Sequence, residues 1–354
     1  MSTAGALVRK LLQAHAKGDA AAFKAAAEAY IAEERRKNHH ILANDLERAL
    51  LNGSYDQRSP LGPGLRGLNL LGVTEHDLPR DAERGALLLE IIAPHRTLDT
   101  LVLNLEVREG LERIVIEQGR ADVLRSYGLR PIGKALFCGP PGCGKTVAAE
   151  AVAQALDLPL VLVRFDAVVS SYLGETAANL RKVFTFAASR QMVMLFDEFD
   201  AIGKQRTASE EHGELKRVVN AFLQMLDGFR GESLLIAATN HQGLLDPALW
   251  RRFDEVIFFD RPDAEASAEI LRRVLHQVGL APGIVLIERA RELIGASHAD
   301  VERIGLDAVK QTVLNHRTQI TAAALDEATR RYFMRRALTV PGVTSMMEDG
   351  RMES

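Results

Sequence analysis

The residues Gly139 to Thr146 have the types and the spacing of a loop that binds phosphate. They read Gly-Pro-Pro-Gly-Cys-Gly-Lys-Thr, the pattern G-x-x-x-x-G-K-T, between a short apolar run and a helix-forming run. Glycines let backbone N–H groups turn towards phosphate oxygens, with the positive end of the following helix behind them. Lys145 is expected to reach the β- and γ-phosphates, while the Thr146 hydroxyl completes the shell of a Mg²⁺ ion. The segment predicts a site for ATP or ADP formed by Pro140, Pro141, Gly142, Cys143, Gly144, Lys145 and Thr146.

Two acidic residues, Asp197 and Glu198, follow the apolar run Met192–Phe196. In an open parallel sheet, ligands bind beyond the carboxyl ends of the strands, so both acids are expected at the nucleotide. Asp197 is predicted to hold Mg²⁺ together with Thr146, and Glu198 to polarise the attacking water as a general base. Taken alone, an acidic strand end usually caps a helix, but the phosphate loop upstream favours a role in hydrolysis.

Two further segments bring polar side chains that suit phosphoryl transfer. Asn240 follows the apolar run that begins at Leu234, and its amide is predicted to orient the attacking water; a simple turn residue is the alternative. Arg251 and Arg252 precede the last apolar run. They are either solvated surface charges or arginine fingers, which accelerate phosphoryl transfer about 10³- to 10⁵-fold. As fingers they would serve the nucleotide of a neighbouring subunit, which requires a ring.

The segments around these residues are short apolar runs that alternate with helical segments. This alternation predicts an α/β fold in which crossover helices cover a parallel sheet. We therefore expect the phosphate loop, the acids and Asn240 to meet at the carboxyl edge of that sheet. The predicted strands are Ala135–Cys138, Leu160–Arg164, Val193–Phe196, Leu234–Ala238 and Val256–Phe259.

The periodicity also predicts the organisation of the whole chain. Apolar residues at helical spacing open it, a stretch rich in proline and glycine follows, and purely helical spacing returns after the last strand. Asp263 and the S-x-x-D box Ser297–Asp300 are expected to begin two of the late helices. The predicted boundaries are residues 1–52 for a small helical hairpin, 53–81 for a linker, 82–260 for the α/β core, 261–340 for a helical region and 341–354 for a disordered tail.

The composition is that of an ordinary globular protein. The 354 residues are 47% hydrophobic and 26% charged, and the formal net charge of -3 gives no global footprint for nucleic acid or membranes. No long apolar run and no signal peptide are visible, which predicts a cytoplasmic location. Cys138 and Cys143 are expected to be reduced thiols, and an oxidation that blocks the nucleotide loop is the alternative.

Five motifs together make the chain resemble an AAA ATPase of the AAA+ superfamily, over about residues 98–338. The resemblance assigns them as Walker A, Walker B, sensor 1, arginine fingers and the sensor 2 region. It implies a P-loop NTPase core, a hexameric ring with ATP at the subunit interfaces, and a C-terminal helical lid. The motifs are GPPGCGKT at 139–146, LFDEFD at 195–200, AATN at 237–240, LDPALWRRFD at 245–254 and GASHAD at 295–300.

The same resemblance implies a pore loop that grips polypeptide. The segment is Ser171–Glu175, in which Tyr172, Leu173 and Gly174 are similar to the aromatic–hydrophobic–glycine pattern of the family. A buried Tyr-Leu pair in an ordinary turn is the alternative. Lys204–His212 would form a second pore loop, and the N-terminal hairpin would recruit a protein substrate or an adaptor.

The sequence departs from the family pattern at three places. Cys143 replaces the usual threonine of the loop, whose backbone does the binding. His298 stands in the lid motif, where it either approaches the nucleotide or lies on the helix surface. The arginine segment is shorter than the common R-P-G-R form, so Arg251 and Arg252 both stay candidates for the finger.

These features predict a Mg²⁺-dependent ATPase that remodels, unfolds or threads protein as a homo-oligomer. A nucleic-acid motor or loader is the chief alternative, and an ATP-gated scaffold is a third that the intact Lys145, Asp197 and Glu198 disfavour. The sequence contains no H-E-x-x-H motif, which predicts that no metalloprotease is fused to the ring; a separate protease partner is left open. We expect no membrane partner and no nucleic-acid partner.

Overall fold

The structure is a computed structural model that describes residues 25–27, 29–30, 74–169, 175–199, 221–240 and 250–339. The chain divides into two compact units, residues 1–60 and residues 61–354. In the first unit the described residues are helical, and the rest of the predicted hairpin lies outside the described part. Also outside it are the pore-loop residues Tyr172, Leu173 and Gly174, the predicted second pore loop Lys204–His212, and the tail 341–354.

Six strands form one sheet in the described part of the chain, in the order β1-β3-β4-β5-β2-β6. Strands β2 to β6 form the parallel part, so the five predicted strands are confirmed to within one residue at each end. The sixth strand, β1, is absent from the prediction and pairs antiparallel with β3 at one edge. The strands are β1 Leu89–Ile92, β2 Lys134–Cys138, β3 Leu160–Val163, β4 Val193–Phe196, β5 Leu234–Thr239 and β6 Glu255–Phe258.

The parallel strands in the middle of the sheet read as continuous apolar runs because both faces of the sheet are covered. Every residue of β4 and of β5 is buried, as expected for strands between two helical layers. Strand β2 lies between β5 and β6, with Phe137 opposite Ala238 on one side and Ile257 on the other. Strand β1 is short, lies at the edge and exposes Glu90, so its sequence carries little strand signal.

Helices lie on both faces of the sheet and follow it in the chain. Both predicted helix starts are confirmed: the Asp263 carboxylate accepts a hydrogen bond from the Ala266 N–H at 2.7 Å, and Ser297 and Asp300 form a reciprocal capping box. None of the described helices is long and apolar enough to cross a membrane. They are α1 Leu105–Gly119, α2 Ala121–Ser126, α3 Lys145–Ala155, α4 Phe165–Val168, α5 Glu175–Ala188, α6 Ala264–Leu275, α7 Leu286–Glu292, α8 His298–Leu314 and α9 Ala322–Thr339, with residues 221–228 also helical and 3₁₀ turns at Glu75–Asp77 and Leu98–Thr100.

The described residues form three hydrophobic cores. One lies on the sheet face that α5 and residues 221–228 cover, and it includes Phe184 and Phe222. The opposite face is packed by α1 and α3, which contribute Leu111 and Val152. The third core lies among α6 to α9. This separate helical core is compatible with a lid, and the five domain boundaries stay predictions.

Candidate nucleotide site

The loop between β2 and α3 takes a backbone path that requires glycine. Gly139, Gly142 and Gly144 have φ angles of 142°, 74° and 94°, in the region that favours glycine. A Cβ at position 139 would lie 2.0 Å from the backbone oxygen of Phe259, just after β6. The loop therefore passes close to the last strand and then turns into α3, which begins at Lys145.

The Lys145 side chain is buried and points its ammonium group at three oxygen atoms. Its Nζ donates to the backbone oxygens of Gly139 at 2.7 Å and Pro140 at 2.9 Å. It also donates to Oδ1 of Asn240 at 2.8 Å, so it joins the loop to the end of β5. A buried ammonium needs such partners, and phosphate oxygens are stronger ones. Lys145 is thus held in the loop by neutral oxygens, which the charged oxygens of a bound phosphate can replace.

The two acids at the end of β4 lie against the same loop. The Thr146 hydroxyl donates to Oδ2 of Asp197 at 2.6 Å, and the Glu198 N–H donates to the other oxygen of Asp197 at 2.9 Å. The Asn240 amide donates to Oε1 of Glu198 at 3.3 Å. The structure therefore brings Lys145 together with four further predicted site residues at the carboxyl edge of β2, β4 and β5. These residues are Thr146, Asp197, Glu198 and Asn240.

These side chains line a cavity of about 370 Å³. The loop residues Pro141, Gly142, Cys143 and Gly144 line it as well. Its volume and its mixture of apolar walls with a few polar groups suit a nucleotide. The lining includes five predicted site residues, Lys145, Thr146, Asp197, Glu198 and Asn240, and its remaining residues are Arg96, Thr100, Leu101, Val102, Leu103, Val147, Ile270, Arg273, Val274, His298, Ala299 and Glu302.

The pair formed by Thr146 and Asp197 fits a Mg²⁺ ion that arrives with a nucleotide. Mg²⁺ is usually bound by one or two protein oxygens plus phosphates and water rather than by a complete protein cage. The described residues contain no group of three or more His, Cys, Asp or Glu side chains that could hold a metal on its own. A hydroxyl and a carboxylate within 2.6 Å of each other supply two such oxygens.

The helical region closes the cavity through contacts that the sequence does not predict. The Ala299 N–H, in the first turn of α8, donates to the Gly142 oxygen at 3.0 Å. The Arg273 guanidinium donates to the backbone oxygens of Asp99 at 3.1 Å and Thr100 at 2.9 Å. In sequence Arg273 looks like a surface residue, because Glu269 lies four positions earlier and pairs with it. No signal in the chain marks it as a cavity residue.

Burial favours the neutral forms of three titratable groups beside the loop, Cys138, Cys143 and His298. Burial raises the pKa of the Cys138 thiol to about 12, and it also raises the pKa of the Cys143 thiol. Both thiols are therefore protonated and poor nucleophiles. This favours the prediction that Cys138 and Cys143 are reduced over the alternative that their oxidation blocks the nucleotide loop. Burial lowers the pKa of His298 below its ordinary value, although the Val102 carbonyl and the Asp263 carboxylate oppose the change.

The cavity lining contains neither Arg251 nor Arg252. Arg252 forms an ion pair with Asp227 of its own chain. Arg251 is exposed, and it makes no hydrogen bond or ion pair with the described residues. Next to it Trp250 stacks on Phe258, with ring centroids 5.6 Å apart. Of the two arginines, only Arg252 is thus paired within the described part of the chain.

Fold and site together define a P-loop protein that binds a nucleoside triphosphate. The sequence profile described as "ATPase family associated with various cellular activities (AAA)" matches residues 135–261. Over 332 residues the chain is 40% identical to the "Uncharacterized AAA family ATPase y4kL" of Sinorhizobium fredii, covering 92% of this chain and 96% of that protein. The chain belongs to the AAA ATPase family, and it is an ATPase.

Two relatives of known type are more distant and longer. ATP-dependent zinc metalloprotease FtsH 3 of Sphaerobacter thermophilus is 35% identical over 67% of this chain and 50% of its own length. Proteasome-activating nucleotidase 2 of Haloferax volcanii is 32% identical over 71% of this chain and 63% of its own length. The chain therefore spans about half to two thirds of the length of these two proteins.

Proposed function

We propose that this chain is a ring-forming AAA motor that uses ATP hydrolysis to remodel, unfold or thread protein substrates through a central pore. The observation that carries the proposal is the line of contacts from Lys145 through Asn240 to Glu198, which joins the phosphate loop to the acid that would activate water. A scaffold that only binds ATP has no use for that connection. Relatives whose names refer to proteasome activation and proteolysis favour a protein substrate over nucleic acid.

The residues of the site have separate tasks in the proposed reaction. Lys145 exchanges its contacts with the loop carbonyls for the β- and γ-phosphates, and the backbone N–H groups of the loop hold the remaining phosphate oxygens. Thr146 and Asp197 would hold Mg²⁺, which would neutralise phosphate charge when bound. Glu198 accepts a proton from the attacking water, and Asn240 holds the Glu198 carboxylate in line with that water.

Arg251 is assigned as the arginine finger that acts on the nucleotide of a neighbouring subunit. The assignment rests on its exposure and on the Asp227 partner that holds Arg252 within its own chain. A finger must leave its own subunit to stabilise charge on a transferring phosphoryl group. Arg252 then has a supporting task, which is to fix the segment that carries Arg251.

The proposed assembly is a homo-oligomeric ring, a hexamer, located in the cytoplasm. Tyr172, with Leu173 and Gly174, is proposed to contact the translocating polypeptide immediately before α5 begins at Glu175. The helices of the N-terminal unit are proposed to recruit the substrate or an adaptor. A separate protease as a further partner is compatible with this arrangement.

The proposal is tested by the ATPase rate of the wild type, Tyr172→Ala and Tyr172→Phe, titrated with an unfolded polypeptide and with single-stranded DNA. We expect the polypeptide to stimulate the wild type and Tyr172→Phe, because both present an aromatic ring, and to leave Tyr172→Ala at its basal rate. The basal rates should agree, since the role proposed for Tyr172 is to contact polypeptide and not the nucleotide.

Each other outcome points to a different function. Stimulation by DNA alone would replace the proposal by the nucleic-acid motor. Equal stimulation of all three proteins by polypeptide would contradict the role of Tyr172 in the pore.

A further inference from the structure

The cavity assigned to the nucleotide also has a lining that suits a nucleoside. The phosphate-binding groups account for only part of that lining, so the base and the sugar must lie against the rest. Apolar side chains dominate there, among them Leu101, Leu103, Ile270 and Val274. A flat aromatic base gains free energy when such side chains remove it from water.

His298 is one of the polar side chains in this mostly apolar part of the lining. It is the first residue of α8, immediately after the Ser297 cap, and it lines the cavity beside Val102. The side chain is half-buried. The Ala299 N–H bond to Gly142 fixes the same turn of α8 to the phosphate loop at 3.0 Å. The backbone at His298 is therefore fixed next to the phosphate loop.

The protein itself does not use the full hydrogen-bonding capacity of this ring. Nδ1 of His298 is buried and has no hydrogen-bond partner in the described part of the chain. Buried polar atoms are almost always paired, and an unpaired one costs about 1–3 kcal/mol. Burial keeps the imidazole neutral, so it can donate at one nitrogen and accept at the other.

We propose that His298 positions the bound nucleotide by a hydrogen bond between its Nδ1 and the nucleoside, at the base edge or at a ribose hydroxyl. Nδ1 is buried in the protein without nucleotide. To reach the nucleotide, the ring rotates about its Cβ–Cγ bond, whose torsion angle has a broad energy minimum. The inference rests on the nucleotide site proposed above. Of the two alternatives that the sequence leaves open for His298, the proposal favours contact with the nucleotide over a position on the helix surface.

The test compares the affinity of the wild type, His298→Phe and His298→Asn for ADP by calorimetry. Phenylalanine keeps the ring and removes both nitrogens, whereas the asparagine side chain keeps a polar atom near the position of Nδ1. We expect His298→Phe to bind ADP about 3- to 10-fold more weakly and His298→Asn to recover most of the loss. Pyrophosphate, which lacks the nucleoside, should bind all three proteins equally.

Two ADP analogues identify the atom that is recognised. If the phenylalanine defect disappears with purine riboside diphosphate, which lacks the amino group, the contact is to the base. If it disappears with 2′-deoxy-ADP, the contact is to the ribose. Either result supports the proposal.

Two results overturn it. Equal ADP affinity of the wild type and His298→Phe would show that the ring makes no contact that matters. An equal loss for ADP and pyrophosphate would show that the ring only packs the cavity wall. Lys145→Ala separates this failure from a failure of the site itself: if that variant keeps normal ADP affinity, the whole site assignment is wrong.

Discussion

Glu198 is the side chain on which hydrolysis is expected to depend. Its backbone lies in the left-handed region, with φ at 49°, a conformation that costs a non-glycine residue free energy and persists only where the surroundings impose it. The Asp197 oxygen that accepts the Glu198 N–H supplies that constraint. The turn therefore directs the carboxylate towards Asn240 rather than along the strand.

Replacing Glu198 by glutamine should separate nucleotide binding from turnover. Glu198→Gln keeps the size of the side chain and its carbonyl oxygen, so the contact with Asn240 and the affinity for ATP should survive. Hydrolysis should fall about 10²- to 10⁴-fold because no general base remains. Single-turnover hydrolysis beside equilibrium binding measures both quantities. Glu109→Gln, an exposed change on α1, is the control, and a turnover of Glu198→Gln equal to that control would contradict the role.

The buried neutral imidazole of His298 should make stability depend on pH. Its pKa is lowered in the folded chain, so between that value and the ordinary 6.5 the unfolded chain binds a proton that the folded chain does not. The contribution to stability is present above the ordinary pKa and is lost as the pH falls through the folded pKa. Cys143 and Asp263, the titratable groups beside the ring, stay the same in both proteins compared below.

We therefore expect the wild type to lose more thermal stability than His298→Phe when the pH falls from about 7.5 to about 5.5. The measurement is the unfolding midpoint of both proteins across that range, in which the contributions of the other histidines cancel. Parallel curves would mean that the His298 ring stays solvated in solution.

At the residue scale, the sequence predicts the groups that share a motif and misses those that depend on a distant contact. Lys145, Asp197 and Asn240 are recognisable because their spacing from apolar strands implies the sheet edge where they meet. Arg273 contacts a loop more than a hundred residues earlier in the chain, through backbone oxygens that carry no signature of their own. The missing partner of His298 Nδ1 is likewise a property of packing.

At the scale of elements, the close approach of the phosphate loop to the end of β6 sets a steric limit. Gly139→Ala would place a Cβ 2.0 Å from the Phe259 oxygen, and the backbone there cannot yield without breaking the pairing of β2 with β6. We expect a loss of more than about 2 kcal/mol in the free energy of unfolding, since strain and left-handed φ add. Urea unfolding followed by circular dichroism measures it.

Gly119→Ala is the matched control for that prediction. Gly119 ends α1, has open space around it and lacks a positive φ. Alanine should be neutral there, or stabilising by up to about 1 kcal/mol. Equal stability of the two variants would mean that β6 can move away from the loop.

The elements themselves were largely predictable, because the central strands and the capped helices each carry a local signal. The buried runs of β4 and β5 and the caps at Asp263 and Ser297 are examples. Strand β1 escapes prediction because four residues at a sheet edge show neither a long apolar run nor a clear alternation. Its pairing with β3 is a tertiary outcome.

At the scale of the whole molecule, a finger that acts between subunits predicts complementation. Arg251→Ala subunits keep an intact nucleotide site but cannot serve a neighbour, and Lys145→Ala subunits have the opposite defect. Each protein alone should lose nearly all ATPase activity, and mixtures should recover part of it at sites that pair the two intact halves. Rates across mixing ratios, with co-assembly verified by sedimentation, measure the recovery.

The control mixture combines Lys145→Ala with Glu198→Gln, whose defects both lie in the subunit's own site. It should show no recovery. Recovery with Arg252→Ala in place of Arg251→Ala would reverse the assignment of the finger.

The stacked pair of Trp250 and Phe258 gives this chain a fluorescent probe beside Arg251, at the proposed interface between subunits. Trp250 is the only tryptophan in the sequence, and it directly precedes Arg251. Its emission therefore reports on one surface without any label. If a neighbouring subunit covers Arg251 when ATP is bound, it should also remove the adjacent Trp250 from water. The tryptophan emission of Glu198→Gln with ATP should then shift to shorter wavelength as the protein concentration rises. The emission of Lys145→Ala should stay constant. A fluorimeter can thus follow ring closure in real time.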